Sequence, residues 1–294
     1  MTATADETML AGHRTEHALI WVRLEQLLRQ PWFYYGTLFL LQLKRIWGMW
    51  QYRDLTSGDT SSYFADAFKW FRFGHTDIVW SPLYECFYGT LLHLTRDVAT
   101  VTVLHRILIA FTATLLVLAV LRRLLPMELA WLIGAWWAVM PINFDTMYEV
   151  HLFAVIPILV AWLVLLRWRG PWARGTALGI FIIETILVRN ETAVATGLFF
   201  LICVLWEWRG LDRLSVKPTG RAAAGRGVVY TAIAYLVPVT LAVASVGWVY
   251  HRSYLKGEEM RRVIRAKHTV NMGQVYAFGY EQRHPEWTDS PWTD

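Results

Sequence analysis

Residues 99–121 read ATVTVLHRILIAFTATLLVLAVL and run directly into Arg122-Arg123. About 20 predominantly apolar residues cross a bilayer as a helix, so this stretch predicts a transmembrane span ending in a basic loop. His105 and Arg106 are its only ionisable side chains. Charge at that depth is expensive and tends to be functional. Working outward, further apolar stretches predict spans at 32–50, 127–143, 150–168, 175–190, 193–208 and 228–250. Lys44 and Arg45 interrupt the first of these. The expected fold class is therefore all-α, a polytopic membrane protein with about six to seven transmembrane helices and a helical outer loop after the first span.

Composition agrees with that class. The 294 residues are 55% hydrophobic with 17 Trp, and the mean hydropathy is +0.33. A soluble domain of this size is more polar and has fewer apolar runs. The net charge of +5 does not point to nucleic acid, because the Lys and Arg residues flank apolar stretches. Trp168, Trp172, Trp206 and Trp208 sit where an interfacial aromatic belt would fall. Cys203 lies inside an apolar run, so no disulfide with Cys86 is expected.

The loops alternate in charge. Arg122-Arg123, then Arg167, Arg169 and Arg174, then Arg209, Arg213, Lys217, Arg221 and Arg226 form a basic set. Asp54 and Asp59, Asp145 and Glu149, and Glu191 beside Arg189 form an acidic set. The positive-inside rule puts the basic set and the N-terminal 31 residues in the cytoplasm. The loop 51–98 and the turns at 144–149 and 189–192 then face outward. Carboxylates gathered from separate loops on one face predict a site there.

Residues 1–31 are read as a cytoplasmic amphipathic N-terminus, with 16–30 either lying on the membrane or forming an ordinary helix. They lack the apolar core and cleavage site of a signal peptide. Residues 32–250 form the transmembrane unit. Segment 78–94 is apolar and aromatic but contains Pro82 and Glu85, and is read as an interfacial or re-entrant helix. Residues 251–294 form a basic aromatic tail. This topology places the tail outside despite Arg252, Lys256, Arg261, Arg262, Arg265 and Lys267, and the end at Ser290–Asp294 is expected to be a truncation.

In the outer loop, Gly58-Asp59 predicts a turn, and 61–73 a helix with Tyr63, Phe64, Ala67, Phe68 and Phe71 on its apolar side. Asp59 near the start of that helix could serve as its cap. After it come Gly74 and Trp80-Ser81-Pro82-Leu83-Tyr84. With Asp59 and Tyr63 spaced as Asp-x-x-x-Tyr, then Gly74 and Pro82-Leu83 ahead of the next span, the chain resembles the GT-C polytopic glycosyltransferases. The likeness is to the branch holding protein O-mannosyltransferases and aminoarabinose transferases, and it covers roughly residues 30–210.

The resemblance implies a membrane glycosyltransferase that moves a sugar from a polyprenyl-phosphate donor to a lipid, glycan or protein acceptor on the outer face. It implies Asp59 as base or acceptor-orienting group and Asp145 as a second carboxylate. Such chemistry needs a base for the acceptor hydroxyl and positive groups for the departing phosphate. Arg106 and Arg189 suit the phosphate, while Asp54, Tyr63, Glu149 and Glu191 are the remaining binding candidates. Three of them have a simpler reading: Asp54 paired with Arg53, Asp145 as a turn residue, and Arg189 paired with Glu191. Glu184, buried in a span, is expected to pair with Arg106 or with a polar group on a neighbouring helix. No cofactor is implied. A divalent metal stays open at Asp145, Glu149 and His151, which lack a recognised ligand spacing. No Ser-His-Asp order, Gly-rich phosphate loop or Cys cluster occurs, which speaks against a hydrolase, an NTPase or a zinc site. The expected localisation is a bacterial inner membrane. A flippase or transporter, or a non-catalytic membrane subunit, is the alternative.

Overall fold

A computed structural model of the chain describes residues 30–47, 59–76, 78, 80–140, 149–168, 170–215, 221–253 and 257–262, together with Gln26 and Arg265. Side chains at 59–61, 149, 191 and 210–226 lie outside that description. The described chain is all-helical and contains no strand. Its helices are α1 (Pro31–Ile46), α2 (Asp59–Phe73), α3 (Pro82–Leu91), α4 (Val98–Leu124), α5 (Met127–Val139), α6 (Glu149–Arg167), α7 (Pro171–Leu187), α8 (Ala193–Ser215) and α9 (Arg221–Arg252). A 3-10 turn, Asn190–Thr192, joins α7 to α8. The expected amphipathic N-terminus and most of the tail fall outside the described residues.

Three helices among the described residues are long and apolar enough to cross a membrane: Val98–Leu124, Val150–Arg167 and Gly227–Arg252. Met127–Val139 is apolar but shorter. The outer faces of α8 and α9 expose Leu198, Leu201, Ile202, Leu236 and Leu241. An apolar face of that extent fits lipid and not water.

Local chemistry sets the helix ends. Pro31, Pro82 and Pro171 open α1, α3 and α7 at the first turn, where the missing N–H costs nothing. Asp97 caps α4 by accepting from the backbone N–H of Thr100 at 3.3 Å. Arg122 and Arg123 occupy the last turn of α4, next to its negative dipole end. Gly170, at φ 115°, makes the reversal between α6 and α7, a backbone geometry that favours glycine.

The helices alternate in direction. Arg122 Nη1 donates to Tyr35 Oη at 3.3 Å, and Thr114 Oγ1 to Gln42 Oε1 at 2.9 Å, so α1 and α4 are antiparallel. Helices α7 and α9 run parallel in close contact. A Cβ on Gly175 would sit 2.2 Å from the Ala234 carbonyl oxygen, and one on Gly179 would sit 3.0 Å from that of Pro238. This is small-xxx-small packing, which lets two backbones approach where lipid offers no hydrophobic drive. Arg122, Arg123, Arg167 and Arg174 thereby share one end of the bundle, and α2, α3, the start of α6 and the end of α7 share the other.

Candidate functional site

The end opposite the basic one is built on α3. Its residues Ser81, Tyr84, Glu85 and Tyr88 share one helical face, and all are buried. Tyr84 Oη lies 3.0 Å from His105 Nε2, and Tyr88 Oη lies 2.7 Å from Thr102 Oγ1. The Tyr88 ring also stacks on His105 at 4.0 Å between centroids. Together these contacts seat α3 on the first half of α4. Ser81 Oγ donates to the Val188 carbonyl at 2.8 Å, which ties α3 to the end of α7 as well.

Helix α2 lies across α3 at very short range. A Cβ on Gly89 would be 2.3 Å from the Ala67 carbonyl oxygen, so only glycine permits this crossing. Tyr63 is 8% exposed and meets Tyr84 edge-on at 5.3 Å. A continuous path therefore runs from Tyr63 through Tyr84 to His105, the neighbour of Arg106. Tyr63 contributes to the aromatic core.

Arg106 stands about two turns inside α4 and is 6% exposed. Glu85 and Glu184 are fully buried. The Glu85 carboxylate accepts from Thr76 Oγ1, and that of Glu184 from Thr192 Oγ1 in the 3-10 turn. Thr192, in the turn that follows α7, is one partner of Glu184, where the sequence pointed to Arg106 or a polar group on a neighbouring helix. The Glu184 carbonyl also accepts from the backbone N–H groups of Val188 and Arg189, at 2.8 and 3.0 Å, closing α7. Arg189 Nη2 donates to His151 Nε2 at 2.9 Å, linking the end of α7 to the start of α6. So a residue on α6 meets Arg189, while the expected Glu191 pair rests on a side chain outside the described residues.

Asp59 is the first residue of α2, which starts two positions earlier than its apolar pattern predicts. Glu149 is likewise the first residue of α6, and Glu191 lies within the 3-10 turn. Their side chains are not described, and Asp54 and Asp145 lie wholly outside the described residues. Among the described residues no group of three or more His, Cys, Asp and Glu could hold a metal. Glu85 is the component that sequence reading undervalued, as a mere interruption of segment 78–94. Its signal was the i, i+3, i+4, i+7 face it shares with Ser81, Tyr84 and Tyr88.

Cys86, next to Glu85, is a free thiol. Burial, with a smaller contribution from the Glu85 charge, pushes its pKa up to about 12. The thiolate is the reactive form, and at pH 8 a thiol of pKa about 12 is only about 10⁻⁴ ionised. In a Cys203→Ser background, N-ethylmaleimide should label Cys86 on the order of a thousandfold more slowly than an exposed thiol. The rate should rise about tenfold per pH unit through pH 9. Labelling at the rate of an exposed thiol would show that α3 is not packed in this way.

The chain matches no protein-family model, and neither a curated protein nor a solved structure shows significant similarity to it. The fold and site define an all-helical protein with three helices able to cross a membrane and buried ionisable groups gathered at one end.

Proposed function

We propose that this protein is a polytopic membrane glycosyltransferase of the GT-C kind, spanning a bacterial inner membrane with α1 and α4–α9. It takes a sugar from a polyprenyl-phosphate donor and gives it to a lipid, glycan or protein acceptor on the outer face. The observation that carries this reading is the contact path from α2, which Asp59 opens, through Tyr63 and Tyr84 to His105 beside Arg106. It links the helix of the proposed base to the region of the proposed phosphate-binding cation.

In the proposed reaction Asp59 takes the proton of the acceptor hydroxyl, or orients that group. The acceptor oxygen attacks the anomeric carbon, the bond from that carbon to the phosphate oxygen breaks, and polyprenyl phosphate leaves with its electron pair. Arg106 and Arg189 stabilise the growing phosphate charge. Asp145 assists Asp59, while Asp54, Tyr63, Glu149 and Glu191 shape the acceptor side. Because α2 and α3 lock together at Gly89 and Ala67, Asp59 is carried on a rigid support.

The test is transfer of radiolabelled sugar from polyprenyl-phosphate donors in membranes expressing wild type, Asp59→Asn or Asp145→Asn at equal levels. Loss of a general base typically costs about 10²–10⁴-fold, and that is the effect expected for Asp59→Asn. Wild-type transfer by both variants would remove these carboxylates from the chemistry.

A flippase for a lipid-linked substrate is the second reading, favoured by burial of Glu85, Arg106 and Glu184 within the bundle. It predicts that the donor crosses the bilayer with its sugar still attached.

A further inference from the structure

The aromatic side chains that α3 turns into the bundle converge on His105. Tyr84 Oη lies 3.0 Å from His105 Nε2, and the Tyr88 ring stacks on the imidazole at 4.0 Å and 17°. The Tyr88 hydroxyl is itself held 2.7 Å from Thr102 Oγ1. His105, Thr102 and Tyr88 are fully buried, and Tyr84 is 1% exposed. The order of these contacts sets the direction of α3. Tyr84 faces residue 105 of α4 and Tyr88 faces residue 102, so α3 runs antiparallel to α4 and starts at its deepest point. Thr76 and Ser81, on the segment that leads in, are buried as well. Helix α3 is thus the returning limb of a segment that dips into the bundle.

Tyr84 also joins the other elements of the site. Its ring meets Tyr63 of α2 edge-on at 5.3 Å and Phe153 of α6 at 5.4 Å. Asp59 lies one helical turn before Tyr63, and Glu149 one turn before Phe153. One buried ring therefore touches the three helices that carry the proposed base, the proposed cation and a proposed acceptor contact. His105 supplies the direction. Neighbouring residues on a helix point about 100° apart, so any roll of α4 that moves the imidazole swings Arg106 as well. Burying a phenol and an imidazole costs free energy that their mutual hydrogen bond offsets. What the pair adds over apolar packing is a fixed orientation, because the hydrogen bond and the ring stack both constrain the same imidazole.

We infer that Tyr84 and His105 are positioning residues for the proposed transfer. They hold α4 at the roll that aims Arg106 at the leaving phosphate. This role rests on the transferase reading. Neither residue moves a proton or meets the substrate; both act through Arg106.

The test is the transfer kinetics of the full chain in lipid nanodiscs with polyprenyl-phosphate sugars, with thermal midpoints read on the same preparations. Tyr84→Phe keeps the ring against Tyr63 and Phe153 and removes the hydroxyl alone. Misplacing a group by about 1 Å costs up to about 10²-fold, so kcat should fall about ten- to a hundredfold. KM for the donor should change by less than about twofold. His105→Leu should act alike, and the double variant should be no slower than either single one, because the pair works as a unit. His105→Gln, whose amide can still meet the Tyr84 hydroxyl, should retain at least about threefold more kcat than His105→Leu. Where His105→Leu fails to accumulate, Tyr84→Phe alone decides. Variants that melt at lower temperature but turn over at the wild-type kcat would overturn the proposal and leave the pair as core packing. So would a rise in KM with kcat unchanged, or His105→Gln as slow as His105→Leu. No transfer by wild type would remove the transferase reading and this role with it, whereas wild-type transfer that Tyr84→Phe leaves untouched removes the role alone.

Discussion

Gly175→Leu is expected to cause a large loss of stability in the bundle. A Cβ at 175 would meet the Ala234 carbonyl oxygen at 2.2 Å and the Tyr235 Cα at 3.0 Å. Both neighbours are backbone, so no rotamer change relieves the clash and the helices must part. Parting them also loosens Gly179 against Pro238 and Ala242, and the cluster of Ile183, Leu187, Val246 and Val249 further along. Overpacking a close contact costs about 1–3 kcal/mol and sometimes more, and here the loss spreads along the helix pair. The thermal midpoint of the purified protein should fall by several degrees, or the protein should fail to accumulate. Gly197→Ala is the control. Gly197 stands in open space on α8, and alanine favours helix by up to about 1 kcal/mol, so this variant should match or exceed wild type. A Gly175→Leu protein as stable as wild type would mean that α7 and α9 are not in contact.

Under the proposed transferase reading, Arg106→Gln should produce the largest loss of transfer that leaves the carboxylates intact. Arg106 sits in a low-dielectric setting at 6% exposure, where a fixed charge acts strongly on a developing phosphate charge. Removing one such group costs about 10²–10³-fold in turnover. The charge on the leaving phosphate grows as the sugar departs, so kcat should fall by a larger factor than KM for the donor rises. Arg106→Lys should recover only part of the rate, because lysine lacks the planar fork that holds two phosphate oxygens. A rise in KM with unchanged kcat would make Arg106 a donor-binding residue only. Wild-type kinetics would release it from the site altogether.

The long apolar helices α4, α6 and α9 were legible because continuous hydropathy is enough to predict them. Their ends were less so. Helix α5 was expected to reach 143 and stops at Val139. Pro141 follows Met140, and the residue before a proline is driven out of the helical region; Met140 is indeed extended, at φ −66° and ψ 140°. Helices α7, α8 and α9 extend into polar sequence beyond their expected spans, to Pro171, Ser215 and Arg221. Hydropathy marks what lies in lipid, whereas backbone hydrogen bonds carry a helix on into water.

The site was legible in part. Arg106 and Glu184 stood out as charges in apolar runs, and both are buried. The contact of Arg189 with His151 was not, because the two come close only when the end of α7 meets the start of α6. No local spacing encodes that meeting. The close packing of Gly175 and Gly179 was written in the sequence as small-xxx-small, yet choosing α9 as the partner required the tertiary arrangement.

Release of polyprenyl phosphate tests the transferase reading most directly. Purified wild-type protein in lipid nanodiscs would be given a panel of polyprenyl-phosphate sugars with membrane-extract acceptors, beside Asp59→Asn. Time-dependent release of polyprenyl phosphate together with labelled acceptor by wild type, and a drop of at least about 10²-fold in the variant, is the predicted result. Donor that stays intact with every sugar tested, while the same protein in sealed vesicles moves it across the bilayer, would contradict transfer and establish a flippase.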